Sequence, residues 1–434
     1  MKRKNIAAGK VKKTTSANHA GSPARKRLYN QCKALANNPD ILAALGDALR
    51  ERGVVGDLQN FLIVYLVVVT RLFPYPTSAV LKGPTGVGKS AALDAPLSLC
   101  PPSAFHILTS ASDKALFYSS ENFEHRIIVM HEATGMSEEV SHSMRVLQSQ
   151  GYITREITVQ VPGGGRETTM ITKKGPIGLL TTTTALQLHP ENETRALSLT
   201  VPDSEERTNA ILLSMTGEEK LHPVPKDWHA LQEWLAVGPT EVTVPFDKSV
   251  AALTRGIVPR VARDFRNMMS LVEAHALLHL KTRARKSGKV VAKIRDYRAV
   301  WKLVKDVIAV GVEASVAPET RETVNAVSKL KAAGNQTVTL ADLSEELGLH
   351  KTTAWRRVMV AIDRGYLHNL GETRGRKSFR IVTGEPLPKD IKILPTPNEV
   401  LAHYKAAAKK QVGQPAPKAP VRKKWPTRPG TNAR

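Results

Sequence analysis

At 434 residues the chain is too long for one ordinary hydrophobic core and suits two or three domains. Its 63 Lys and Arg against 39 Asp and Glu give a formal charge of +24, which points to a polyanionic partner, nucleic acid being the commonest. The only cysteines, Cys32 and Cys100, lie far apart and outside any CxxC pair, so a disulfide framework and a thiolate zinc site are excluded and a cytoplasmic location is expected.

Residues 1–26 read as a basic arm: Lys and Arg among Ser, Ala, Gly and Thr, too polar to order themselves, and no apolar stretch of a secretory signal follows MKRKN. Residues 27–76 read as helices, with Asp40 as N-cap of ILAALGDALRERG and a second helix over Asp57–Leu72. That second helix holds FLIVYLVVV, residues 61–69, about half of the ~20 apolar residues a bilayer span needs, so it is a buried helix and no membrane partner is expected. This segment is expected to serve as a collar for oligomerisation, the alternative being that it only packs against the domain that follows it. Over 77–235, short β-branched runs alternate with helical stretches, the pattern of an α/β sheet. A helical block follows at 245–312. Residues 318–384 then read as helices followed by a strand pair. A basic, Pro-rich tail closes the chain over 385–434, with one short helix at Asn398–Lys410.

The sharpest motif is GPTGVGKS, residues 83–90, between the buried strand SAVLK and a helical stretch opening at Ala91. Gly83, Gly88, Lys89 and Ser90 fit GxxxxGK[ST], the phosphate-binding P-loop. In that reading Gly83, Pro84, Thr85, Gly86, Val87, Gly88, Lys89, Ser90 and Ala91 line the phosphates of ATP. Lys89 reaches the β and γ phosphates, and the Ser90 hydroxyl ligates Mg²⁺. RIIVMHE, residues 126–132, supplies a second strand, with Glu132 just past its end as general base and part of the metal's shell. His131 stands where an Asp usually precedes that Glu.

From here the sequence resembles the helicase branch of AAA+ ATPases, the group of superfamily 3 and minichromosome maintenance helicases. GYITREITVQVPGGGRETTMITK, residues 151–173, has the form of that branch's hairpin, and the resemblance implies that Arg166 and Lys173 meet the DNA backbone in a ring channel. PIGLLTTTT, residues 176–184, would carry the sensor 1 residue, Thr182. ENETR places Arg195 where these proteins carry an arginine finger supplied across a subunit boundary, which implies a homo-oligomer, a hexamer by similarity. PRVARDFRNMMSLVEAHALLHLKTRA, residues 259–284, resembles the lid helix down to EAHA at 273–276 and puts Arg263 at sensor 2, on the γ phosphate. The resemblance covers residues 77–312. Taken singly, Glu132 also reads as a surface carboxylate, 151–173 as a plain surface hairpin and Arg195 as a partner of Glu191 or Glu193; their joint order along the chain is what links them.

The segment from Thr337, with LSEELGLHKTTAWRRV at its centre, resembles a winged helix-turn-helix. That resemblance gives Lys351, Thr352, Thr353, Arg356 and Arg357 to a recognition helix and Arg374, Arg376 and Lys377 to a basic wing on duplex DNA, although winged helices also serve protein contacts. The expected fold is therefore α/β: a P-loop AAA+ core with a helical N-terminal segment and lid, plus an α+β winged helix. The expected function is an ATP-dependent DNA helicase, translocase or replication initiator of a mobile element, with single-stranded DNA in the ring. The alternative is an ATP-switched loader, or a transposition or transcription regulator, that does not unwind.

Overall fold

Strand β1 (Ala79–Lys82) is followed by β2 (Phe105–Ile107), β3 (Arg126–Met130), β4 (Tyr152–Gln160), β5 (Arg166–Lys174), β6 (Ile177–Thr183) and β7 (Leu197–Thr200). The computed structural model describes residues 22–108, 119, 121–132, 137–160, 166–184, 195–215, 223–314, 316–371, 379–387 and 392–412. Five of these strands form one parallel sheet in the order β2-β3-β6-β1-β7. Their near-continuous apolar runs suit a parallel sheet covered on both faces. Alternation along β3 divides the two faces: Ile127 and Val129 enter the main core, Ile128 and Met130 a smaller one with Val140, Met144, Leu147 and Ile153. Strands β4 and β5 leave the sheet as an antiparallel hairpin of their own, paired from Tyr152↔Lys174 to Gln160↔Arg166.

The helices of this region are α1 (Pro23–Ala36), α2 (Ile41–Glu51), α3 (Gln59–Thr70), α4 (Lys89–Ser98), α5 (Glu138–Gln150), α6 (Glu205–Met215), α7 (Lys226–Ala236), α8 (Asp247–Leu253), α9 (Arg260–Leu278) and α10 (Ile294–Ala314). Asp40 caps α2 as expected, its Oδ1 accepting from the Ala43 N–H at 3.1 Å. In α3, Phe61 and every residue from Ile63 to Thr70 are buried. A helix apolar on all sides needs partners on all sides, and α3 packs against α4, α9, α10 and β6. It is therefore the centre of the core, which is the packing alternative and not the collar for this helix. One continuous cluster runs from Cys32 through β1 and β7 to Val312, so segments 27–76, 77–235 and 245–312 share a core.

A small sheet of β8 (Val242–Thr243), β9 (Arg285–Lys286) and β10 (Lys289–Val291) lies beside α9. Beyond it, α11 (Pro318–Ala332), α12 (Leu340–Glu346), α13 (Lys351–Asp363), β11 (Leu367–Asn369) and β12 (Ile381–Thr383) enclose a separate core that includes Val327, Leu343, Val358, Leu367 and Ile381. Thr339 and Asp342 form a capping box at α12.

The short helix expected at Asn398–Lys410 is present, and the tail assignment is corrected in that 392–412 packs on the main core. Helix α14 (Pro397–Val412) packs on α8 and α10, with Ile393, Leu394 and Val400 in the main core and the buried Tyr297 hydroxyl donating to the Pro395 carbonyl at 2.7 Å. Its start is a capping pair: the Thr396 N–H donates to Glu399 at 2.7 Å, and the Glu399 N–H donates back to Thr396 Oγ1 at 3.4 Å.

The α9–α10 junction holds a buried ionic cluster. Asp296, fully buried, accepts from His275 Nδ1 at 2.8 Å, from Arg283 Nε at 3.1 Å and from the Lys293 N–H at 2.6 Å. Burial pushes its carboxyl up, but the hydrogen bonds from His275 and Arg283, the charge of His275 and the Lys293 N–H outweigh it and hold the pKa at about 2, below the ordinary 3.8. Burial and the neighbouring His275 push His279 down to about 3. Because both folded-state values are depressed, folding stability falls as pH drops below about 6.5, first through His279, and then below about 4 through Asp296. Asp296→Ala strands the buried Arg283 guanidinium and is expected to cost about 3–5 kcal/mol in urea denaturation at neutral pH.

Candidate functional site

Strand β1 ends in the glycine-rich loop, which turns through Gly86 at φ +88° and Gly88 at φ +84°. These are left-handed conformations that side chains bearing a Cβ rarely adopt. Val87 is buried and anchors the loop, while Pro84, Thr85 and Gly86 are exposed and Gly83 and Gly88 are half-buried. Lys89 opens α4 and is itself buried; its Nζ donates to the Gly83 carbonyl at 2.8 Å and the Pro84 carbonyl at 2.6 Å. Ser90 and Ala91 follow, exposed on the first turn. No side chain caps this helix start, so its backbone N–H groups and partial positive charge are open to an anion.

The register sets what stands beside the loop. Thr182 on β6 pairs with Leu81 of β1, and Thr181 pairs with Met130 of β3, so the ends of β1, β6 and β3 line one edge. The buried Thr182 hydroxyl donates to the His131 carbonyl and fixes the chain next to Glu132, which is exposed at the strand end. His131 Nε2 lies 3.5 Å from Asp94 Oδ1 on α4. Burial pushes the Asp94 carboxyl up and the His131 charge opposes it. Ser90 and Asp94 are one helical turn apart, so α4 presents a hydroxyl and a carboxylate at successive turns, a spacing legible in KSAALD. Among the described residues no group of three or more His, Cys, Asp or Glu side chains is placed to hold a metal.

Arg195 and Arg263 come together, but at the other edge. They line a cavity of about 370 Å³ with Arg266, Tyr75, Ser78 and Ser149; Arg195 donates to Ser149 Oγ, and the Arg266 guanidinium lies 5.5 Å from the centre of the Tyr75 ring. Ser78 precedes the first residue of β1 and Gly83 follows its last, a separation of roughly 16 Å at the rise of a strand. Arg263 thus lines the edge of the sheet away from the loop of its own chain. Glu191 and Glu193, the alternative partners of Arg195, lie outside the described residues.

The hairpin separates its two basic candidates. Arg166 is exposed where β5 leaves the tip, whose residues 161–165 lie outside the described residues. Lys173 pairs opposite Ile153 at the base, and its ammonium donates to the Ser119 carbonyl. Roughly 23 Å of strand lies between them, so Lys173 serves the foot of the hairpin and not its end.

In the C-terminal unit Lys351, Thr352, Thr353 and Arg356 are exposed on the first turns of α13, with the half-exposed Trp355 among them. His350 caps this helix and its Nδ1 also meets the Thr352 hydroxyl at 3.0 Å. Arg357 turns back to Glu322 of α11 at 3.0 Å, an ion pair across 35 residues of sequence that withdraws it from the basic face. Arg374, Arg376 and Lys377 lie outside the described residues.

One basic residue beside the loop escapes the motif reading. Arg207 on α6 reaches Gly88 from a helix more than a hundred residues downstream, a proximity that only the tertiary fold creates. No protein-family model matches the chain, and no curated protein matches it.

Replacing Thr182 by Val removes the donor to the His131 carbonyl and is expected to lower stability by about 1 kcal/mol in thermal unfolding, with Thr182→Ser recovering most of it.

Proposed function

We propose that the chain is an ATP-hydrolysing P-loop protein of the helicase branch of AAA+ ATPases, acting on DNA as a homo-oligomeric ring. The observation that carries this reading is the loop itself. A left-handed glycine turn at the end of an interior parallel strand leads a buried lysine onto an uncapped helix start, with Thr182 and Glu132 on the neighbouring strand ends. In open α/β sheets ligands bind outside the carboxyl ends of the strands. The loop N–H groups would cradle the phosphates, and Lys89 would exchange its two carbonyl partners for phosphate oxygens.

The accessible donors at this edge are oxygens, the Ser90 hydroxyl and the carboxylates of Glu132 and Asp94, which suit Mg²⁺. Ser90 and Glu132 would hold the ion, which supplies neutralisation of phosphate charge when bound. Glu132 would take a proton from the attacking water. Arg195 and Arg263, facing away from their own loop, would complete the site of the next subunit, where an arginine offsets transition-state charge.

DNA would meet the protein twice: a strand in the ring channel at Arg166, and duplex at Lys351, Thr353 and Arg356 of a winged helix. This supports a helicase or replication-initiator ATPase, of the kind mobile elements encode. The pairing of His131 with Asp94 favours one further reading, an ATP switch for assembly on DNA, because the position ahead of Glu132 lacks its own carboxylate.

Steady-state ATPase assays with and without single-stranded DNA, together with molar mass by light scattering, separate the two. A motor requires DNA-stimulated turnover in an oligomer, reduced on the order of 10²–10⁴-fold by Glu132→Gln with ATP binding kept. Tight ATP binding with negligible turnover would sink the motor and leave the switch. Mixing inactive Lys89→Ala and inactive Arg195→Ala chains tests the arginine's direction of action: composite interfaces, each with an intact loop facing an intact arginine, should restore activity.

A further inference from the structure

The sheet order gives the loop two unlike sides. β6 and β3, which carry Thr182 and Glu132, lie to one side of β1, and β7 lies to the other. The chain leaving β7 turns at Ser204 into α6, whose first turns come back over the loop. A Cβ built on Gly88 would lie 3.4 Å from Arg207 Nη2 and 4.0 Å from Ile211 Cδ1. Arg207 and Ile211 are one turn apart and so share a face of α6, and that face meets the loop.

The state of Arg207 needs a partner. Its Nε is buried and has no hydrogen-bond partner among the described residues. A guanidinium is charged at all working pH values. Here it stands beside the uncapped N-terminus of α4 and in the same loop region as the Lys89 ammonium, whose two acceptors are backbone carbonyls. Two cations and the positive end of a helix gathered at one turn repel one another, and a buried donor without an acceptor adds its own cost. An anion bound in the loop relieves all three.

We propose that Arg207 is a nucleotide-binding residue of this chain, gripping the nucleoside-proximal phosphates from the β7 side of the loop. The inference rests on the P-loop reading and adds to it a direction. The terminal phosphate has to face the strand ends that carry Glu132 and Thr182, because a water is activated there. The α and β phosphates then lie on the opposite side, towards Arg207. A group on that side is felt equally by ADP and ATP, and it stabilises ground state and transition state alike, so its loss falls on KM rather than on kcat.

The test is binding of fluorescent ADP and ATP analogues to the full-length chain, with steady-state ATPase beside it. Arg207→Ala is expected to weaken both nucleotides by the same factor, about ten- to a hundredfold, the loss of one charge-assisted hydrogen bond. Arg207→Lys should recover part of it, and KM should rise by a similar factor. Glu132→Gln should show the reverse split, kcat falling with binding kept. Arg207 is only partly buried on a surface helix, so its truncation spares the core; circular dichroism and an unchanged thermal midpoint of Arg207→Ala provide the fold control. Arg207→Ala binding both nucleotides as tightly as wild type overturns the proposal. So does a loss confined to ATP, which would move Arg207 to the terminal phosphate, or a loss confined to kcat. If the wild-type chain binds neither nucleotide, the P-loop reading itself fails and the assignment of Arg207 with it.

Discussion

Side chains alternate along β3, and that alternation joins the two halves of the molecule. Ile127 and Val129 face the core built around α3, and Ile128 and Met130 face the smaller core with α5 and Ile153 at the foot of the hairpin. Both cores therefore end at the same point, one residue before His131 and two before Glu132. A shift of β3 is opposed on one face by the core built around α3, and on the other by α5 and by Ile153 at the foot of the hairpin. The Thr182 hydroxyl ties the carboxyl end of β6 to His131, and the Lys173 ammonium ties the foot of the hairpin to Ser119. On the proposed reading this is how chemistry at Glu132 would be felt at Arg166. Packed cores have discrete arrangements and do not deform smoothly.

The second constraint is the parallel register. It gathers the carboxyl ends of all five strands at one edge and their amino ends at the other. The loop, Thr182 and Glu132 occupy the first edge, whereas Arg195, Arg263 and Arg266 meet in a cavity at the second. On the proposed reading, a single chain carries the two halves of an arginine-assisted site on opposite edges and does not close them upon itself. Closure needs a second copy presenting its far edge to the first copy's near edge. That is a heterologous contact, which repeats into a ring or a filament.

What was legible in the sequence was local. The strand, loop and helix at residues 78–91, the Asp40 cap and the wholly apolar run of α3 depend on neighbours within a few residues, and each stands where the sequence puts it. The strand order was not legible, because pairing β1 between β6 and β7 joins residues about a hundred apart. The same holds for the withdrawal of Arg357 by Glu322, the tie of Lys173 to Ser119 and the approach of Arg207 to Gly88: each is a basic side chain whose partner is set by the tertiary fold. The segment 392–412 was legible in part. TPNE, residues 396–399, is a local capping signal, and the apolar pair Ile393 and Leu394 precedes it. That signal was legible as a short helix at Asn398–Lys410, and the helix stands; its docking on α8 and α10 was not, because those partners are distant in sequence.

The tetrapeptide EAHA, residues 273–276, draws its meaning from packing. Ala274 and Ala276 are buried in the main core, and His275 is spent on Asp296, which also holds Arg283. Burial pushes the Glu273 carboxyl up to about 7, with Asp247 adding to the rise, at the rim of a groove lined by Phe73, Val244 and Phe265. None of the four reaches the glycine-rich loop, and His275 and Asp296 close a cluster at the α9–α10 junction. A likeness carried by such residues speaks to how α9 seats against α10, which is a statement about fold. The case for nucleotide chemistry therefore rests on residues whose bonding, among the described residues, is unsatisfied or exchangeable: the open N–H groups of α4, a lysine held by two carbonyls, and an arginine whose buried Nε lacks an acceptor.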